Sequence, residues 1–227
     1  MQIRWFGQAA FLITGEHSVL IDPFSVPESR RLQSRGLVFD YPPIKGVAPD
    51  LVLVTHEHFD HNGVEVVEGS PQVIRSTAGR FDSCIGEVIG VAAEHDDAGG
   101  GKRGPDTIFC FTLDGLRFCH PGDFGQAHLR TEQKEAIGEV DVLFLPAGRG
   151  PTVGVEGATE LVHALRPRLV LPMHYRTKAL NFLEPPEAVL EALALEVERL
   201  DTSEAEIEGL LGAHERPRVV LLAPPLR

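Results

Sequence analysis

Three histidines and an aspartate fall within the six residues His56-Glu57-His58-Phe59-Asp60-His61. Neutral imidazole and carboxylate are the ligand types taken by zinc, manganese and iron(II). The cluster follows an apolar run, Leu51-Val52-Leu53-Val54, which reads as a short buried strand. If the chain stays extended beyond it, His56, His58 and Asp60 point the same way, because side chains alternate. His61 then breaks the alternation and faces a neighbouring ion, so that one loop serves two metals. A polar turn after a strand needs no such set of imidazoles, and the segment is therefore read as a metal site.

Four more segments place a potential ligand at or just beyond the end of an apolar strand. They are Val19-Leu20-Ile21-Asp22, Val91-Ala92-Ala93-Glu94-His95, Arg117-Phe118-Cys119-His120-Pro121-Gly122-Asp123 and Leu169-Val170-Leu171-Pro172-Met173-His174. A rigid sheet that carries ligands at its strand ends is a sound way to fix metal geometry.

The elements that must position these groups can be read along the chain. Strands are expected at 2–6, 9–14, 18–21, 51–54, 72–75 and 88–93, and a hairpin at 107–113 and 116–120 about Asp114-Gly115. Further strands are expected at 142–145, 168–172 and 218–222, and helices at 62–68, 131–137, 156–165 and 185–195. Residues 24–50 read as a long loop over one face, and residues 201–216 as acidic and weakly patterned. Early strands followed by alternating strand and helix, with no linker, imply one layered α/β domain over residues 1–227.

The formal net charge of −12 argues against a nucleic-acid partner, which needs a basic surface. It leaves room for a small anionic substrate held by local cations, for which Lys102, Arg103, Arg149, Arg176 and Lys178 are candidates. No apolar run approaches 18 residues, so no membrane partner is expected. The N-terminus has no signal-peptide shape, and the cytoplasm is the expected location. Cys84, Cys110 and Cys119 form no disulfide pattern; Cys119 reads as a small buried hydrophobe. His17, His163 and His214 read as surface residues, and His128 as a candidate for the pocket wall.

The motif His56-x-His58-x-Asp60-His61, with Asp22 before it and His95, Asp123 and His174 after it, resembles the metallo-β-lactamase fold superfamily. The likeness runs from about residue 1 to residue 177. Within that superfamily, His95-Asp96-Asp97, Thr107-Ile108-Phe109, His120-Pro121-Gly122-Asp123 and Pro172-Met173-His174-Tyr175 resemble the small single-domain hydrolases that include the ascorbate-6-phosphate lactonase group. The resemblance implies a four-layer αββα sandwich and a binuclear hydrolase with two divalent ions, zinc foremost, with manganese or iron as alternatives. Carried over by position, His56, His58 and His95 hold the first ion and Asp60, His61 and His174 the second. Asp123 bridges them, and Asp22 orients a ligand from behind. His120 is the rival to His95. Asp60 and Asp123 are the catalytic candidates, accepting or relaying a proton. The expected substrate is a small, anionic lactone, ester or phosphoester; a phosphodiesterase or nuclease of the same fold and a non-enzymatic metal scaffold are the alternatives. Diiron redox branches resemble His-x-Glu-x-Asp, and His58 stands at that glutamate position. One departure is Pro146-Ala147-Gly148-Arg149-Gly150-Pro151-Thr152, where relatives resemble a Gly-Gly-x-aromatic-Thr loop.

Overall fold

The computed structural model describes residues 1–26, 35–150, 152–211 and 217–225. Two sheets pack face to face. The first contains β1 (Gln2–Gly7), β2 (Ala10–Thr14), β3 (Ser18–Ile21), β4 (Leu51–Val54) and β5 (Gln72–Arg75). The second begins as an antiparallel meander of β6 (Gly79–Ser83), β7 (Gly86–Glu94), β8 (Pro105–Leu113) and β9 (Leu116–His120). It continues in parallel through β10 (Val142–Pro146) and β11 (Leu169–Met173). The short β12 (Val197–Arg199) closes its far edge, while β13 (Glu204–Glu206) crosses to the first sheet and pairs with β1. The last strand, β14 (Arg218–Leu221), lies between β11 and β12.

The alternation of side chains explains this arrangement. Ile3, Trp5, Phe11, Ile13, Ile21 and Leu53 turn one face of the first sheet into the main core. There Phe11 meets Phe144 of the second sheet, with ring centroids 4.6 Å apart. Phe6, Ala10, Leu20, Val52 and Val54 point the other way, into a second apolar cluster. Phe39, Tyr41, Ile44 and Val47 from the long loop cover that face, together with Leu180 and Leu183. Residues 39–47, which lie outside any strand or helix of the sheets, thus act as a covering layer on that face. On the outside of the second sheet lie α1 (Thr131–Ile137), against β7, and α2 (Val155–Leu165), against β10. Helix α3 (Glu187–Leu193) packs on α2, and α4 (Ile207–Leu210) is a single turn after β13. No helix of the described residues is long and apolar enough to cross a membrane.

Most expected elements are present, and the hairpin turn is of the expected kind, since Asp114 and Gly115 both take positive φ. Three differences have physical causes. The helix expected over 62–68 is only a 3-10 turn, Val64–Val66. Its neighbours' amides are committed elsewhere, Gly63 to the Pro23 carbonyl and Glu68 to that of Val47, and its valines are poor helix formers. Strands β6, β12 and β13 were not anticipated; all three are short, border a sheet and show mostly exposed or half-exposed residues, so they carry little hydrophobic signal. The third is that the acidic stretch 201–216 contains β13 and α4.

Strand β4 is buried on both faces, so truncation there tests the sandwich directly. Leu53→Ala is expected to cost about 2–5 kcal/mol in a urea unfolding titration. A loss under about 1 kcal/mol would place Leu53 outside the core between the sheets.

Candidate metal centre

The parallel strands of both sheets deliver their C-terminal ends to one edge of the sandwich. Asp22 follows β3, His56 follows β4, Asp123 follows β9 and His174 follows β11. His95 reaches the same edge from the end of the antiparallel β7.

The histidine loop is turned rather than extended, which corrects the simple alternation expected for it. The His61 amide donates to the His58 carbonyl at 3.0 Å, and the Asn62 side chain donates to the Glu57 carbonyl at 3.1 Å. His56, Asp60 and His61 are buried as a result, while Glu57, His58 and Phe59 are exposed. Asp60 therefore leaves His56 and His58 and joins His61. The candidate ligand atoms form three groups, each within 4.8 Å: His56 with His58 and His95, His56 with His61 and Asp123, and Asp60 with His61 and His174. Asp123 lies between them. Its Oδ2 is 3.1 Å from His95 Nε2, and its Oδ1 is 3.1 Å from His174 Nε2 and 3.4 Å from His61 Nε2.

His120 is not part of these groups. Its Nε2 lies 3.0 Å from the Ala9 carbonyl and its Nδ1 accepts from the Gly122 amide at 3.2 Å, so both ring nitrogens are engaged away from the cluster. His128 is exposed and also outside the groups. His17 and His163 lie elsewhere, half-buried and exposed respectively, and His214 falls outside the described residues. Cys110 and Cys119 face one another across β8 and β9, both buried, and Cys84 is exposed.

Hydrogen bonds behind the cluster set which nitrogen of each imidazole is free. Asp22 accepts from the Thr55 amide and hydroxyl, each at 2.8 Å. Its Oδ2 also lies 2.8 Å from His61 Nδ1. His61 Nδ1 thus carries a proton, and Nε2 is the ring nitrogen that faces Asp123. The Thr55 proton is committed to Asp22, so the hydroxyl oxygen accepts from His56 Nδ1 at 3.1 Å, and His56 also presents Nε2.

Two supporting residues were not singled out in the sequence. Gln8 donates from Nε2 to Asp60 Oδ2 at 2.7 Å, and its carbonyl receives both the His174 amide and the Trp5 indole. Asp106 is buried at the start of β8, with Oδ1 3.5 Å from His56 Nδ1. Gly122 allows this packing: its φ is +58°, and a Cβ there would lie 2.6 Å from Asp106 Oδ1 and 2.7 Å from Thr55 Oγ1. Gln8 sits in an ordinary-looking turn and gives no signal. Asp106 stands at the start of an apolar run, a commonplace position for a polar residue, and gives none either.

The electrostatics are those of buried carboxylates among imidazoles. Burial opposes ionisation of Asp123, yet His174 and His61 hold its carboxyl well below the usual range. Asp22 is likewise lowered against burial, chiefly by His61. Burial also opposes a charge on His61, but Asp123, Asp60 and Asp22 push its imidazole well above its ordinary value. His58 moves the other way, lowered by burial and by the imidazoles of His56 and His95.

These residues fit divalent ions. Among the described residues, His56 Nε2, His61 Nε2 and Asp123 Oδ1 are buried with no well-formed hydrogen bond. Unsatisfied polar atoms at such depth are unfavourable unless something else meets them. A cation facing two lone pairs and a carboxylate would do so.

A fold of two sheets with histidine and aspartate at one edge is the arrangement of a protein class, and comparison with known proteins agrees. Residues 2–174 match the family described as the Beta-lactamase superfamily domain. The chain belongs to the metallo-β-lactamase superfamily. It is similar to a UPF0173 metal-dependent hydrolase of Methanoregula boonei, 32% identical over 202 residues, covering 78% of this chain and 83% of that one. A UPF0173 metal-dependent hydrolase of Pelotomaculum thermopropionicum is 31% identical over 238 residues, covering 90% and 99%. The crystal structure of a metallo-β-lactamase superfamily protein from Thermotoga maritima superposes with a TM-score of 0.74 at 29% identity, covering 98% and 99%.

Two predictions test the supports. Asp106→Ala is expected to weaken zinc binding about 10–100-fold, as loss of a group behind a ligand does, with the far-UV spectrum retained. Unchanged affinity in an equilibrium titration would make Asp106 a packing residue only. Glu57 anchors the histidine loop: Arg75 bonds both its oxygens, at 3.1 and 2.5 Å, and Ser76 donates at 2.8 Å. These bonds, Arg75 first, lower its carboxyl from 4.5 to about 2. The ionised form is the one stabilised, so its contribution is complete above about pH 4.5 and fades as pH falls toward 2. Because the pair is exposed, Glu57→Gln should cost only about 0.5–1 kcal/mol at pH 7. The gap to the parent should close on acidification; a gap that widens would contradict the anchor.

Proposed function

We propose that this chain, a metal-dependent hydrolase of the metallo-β-lactamase superfamily, cleaves a small lactone, ester or phosphoester with two divalent ions. Zinc is the foremost candidate for both, with manganese or iron as alternatives. His56, His58 and His95 would hold one ion and Asp60, His61 and His174 the other. The observation that carries this reading is Asp123, whose two oxygens face different imidazole groups. A carboxylate can serve two cations at once, whereas a single imidazole nitrogen cannot.

Bound divalent ions supply Lewis acidity and draw the pKa of water toward neutrality. The side chains supply placement and proton transfer. Asp22 and Thr55 fix the rings of His61 and His56, so their Nε2 atoms stay aimed inward. Gln8 holds Asp60 by one oxygen, and the Asp60 carboxylate would take up the proton of an attacking water. His58, the exposed member, marks the side from which substrate enters. No side-chain nucleophile is required. Cys119 is raised well above the ordinary thiol value by its hydrogen bond with Cys110 and by burial, so it stays an unreactive thiol.

The net charge of −12 favours a small-molecule substrate over a nucleic acid. A metal scaffold without catalysis is separated from this reading by turnover. The purified protein should contain divalent metal and hydrolyse at least one member of an ester, lactone and phosphodiester panel. His58→Ala and Asp123→Ala should each lower the rate by more than about 100-fold while remaining folded, since loss of a mere supporting group already costs about 10–100-fold. Full activity and metal content in Asp123→Ala would reject its placement between the ions. Bound metal without any turnover would favour the scaffold.

A further inference from the structure

Beside the metal centre lies a cleft of about 370 Å³, lined in part by Asp96, Asp97, Lys102, Arg103, Gly125 and Arg149. It adjoins the candidate ligands through the chain itself. Asp96 follows His95, and Gly125 lies two residues beyond Asp123. The two segments touch closely, since a Cβ on Gly125 would be 2.3 Å from the Asp96 amide nitrogen. A ligand in this cleft therefore lies next to the chain segments that carry His95 and Asp123.

The charges around the cleft do not cancel. Lys102 donates to Asp97 at 2.7 Å, which neutralises both. Asp96 spends its carboxylate on its own loop: the amides of Ala98, Gly100, Lys102 and Arg103 all donate to it, at 2.7–2.9 Å. Those bonds hold the glycine-rich loop in place and hold its carboxyl near 2, against burial. Arg103 and Arg149 remain. They come from different loops, and among the described residues neither guanidinium has an ion pair or side-chain hydrogen bond. The other basic candidates differ. Arg176 donates Nε to the Leu183 carbonyl at 2.6 Å, and neither it nor Lys178 lines the cleft. Two uncommitted guanidiniums at one cleft stand out in a chain of net charge −12.

We infer that Arg103 and Arg149 bind an anionic group, phosphate or carboxylate, carried by the substrate at a distance from the bond that is cut. The inference rests on the hydrolase reading for the word substrate, and the cleft names the substrate's class. Guanidinium binds both anions through paired N–H donors.

Calorimetric titration of the metal-loaded protein with inorganic phosphate and, separately, acetate tests the cleft without need of turnover. Arg103→Gln and Arg149→Gln should each weaken at least one of these anions about tenfold, as loss of a charged hydrogen bond does. Arg→Lys at either position should restore part of the affinity, which excludes a folding defect as the cause. Sensitivity confined to phosphate assigns a phosphorylated substrate, and sensitivity of acetate as well assigns a carboxylate site. Equal affinities in the parent and the double Gln variant, meaning that anions bind only at the metals, overturn the inference. Where the ester panel shows turnover, the Gln variants should raise KM for an anionic ester and leave a neutral ester unchanged. An inactive parent counts against the hydrolase reading alone, because the titration still reports on the arginines.

Discussion

The rest of the structure answers to one constraint, negative charge buried at the sheet edge. Asp22, Asp60, Asp106 and Asp123 are all buried within one neighbourhood. Carboxylates cannot remain ionised in such a place without positive charge or many donors close by. Asp22 has its donors from Thr55 and His61, and Asp60 has Gln8. Asp123 has imidazoles on both sides, and these satisfy it only by taking protons or by sharing it with cations. The same electrostatic demand explains why His61 is pushed up and Asp123 down. Metal is the cation that relieves both at once.

Meeting this demand has required unusual backbone. Gln8, Asp22 and His174 are non-glycine residues with φ of 52°, 46° and 50°. Left-handed geometry is uncommon for such residues and is somewhat unfavourable wherever it occurs. All three lie around the metal centre, and each redirects the chain at a strand end so that a side chain turns into the site. The sheets supply rigidity, and the bends supply aim. The sandwich core, knit by Phe11 and Phe144, is what can support the strain.

The sequence made part of this legible. The apolar run 51–54 and the histidines after it announce a strand and a ligand loop, because burial and ligand chemistry both leave strong residue signatures. His95, Asp123 and His174 could be placed at strand ends for the same reason. The path of the loop could not be read, since its turn depends on the His61 amide and the Asn62 side chain reaching the carbonyls of His58 and Glu57, pairings that residue types alone do not specify. Gln8 and Asp106 were invisible as partners because their roles arise from contacts at sequence separations of 52 and 50, and one polar residue in a turn or at a strand start is commonplace. The edge strands β6, β12 and β13 escaped because backbone pairing, not side-chain burial, defines them. The basic residues were recognisable as a set, but which of them were uncommitted depended on bonds within the 96–103 loop.

The Gln8 turn carries a consequence for how the protein comes into being. Its carbonyl holds the His174 amide and its side chain holds Asp60, so a residue near the start of the chain completes a site whose last ligand lies 166 residues later. During synthesis the first hairpin and the histidine loop emerge long before β11 exists. The full ligand set cannot close until the second sheet has formed and docked. Closure of the full ligand set is accordingly a late event in assembly, ordered by topology, because His174 follows β11 while His56, His58, His95 and Asp123 precede it.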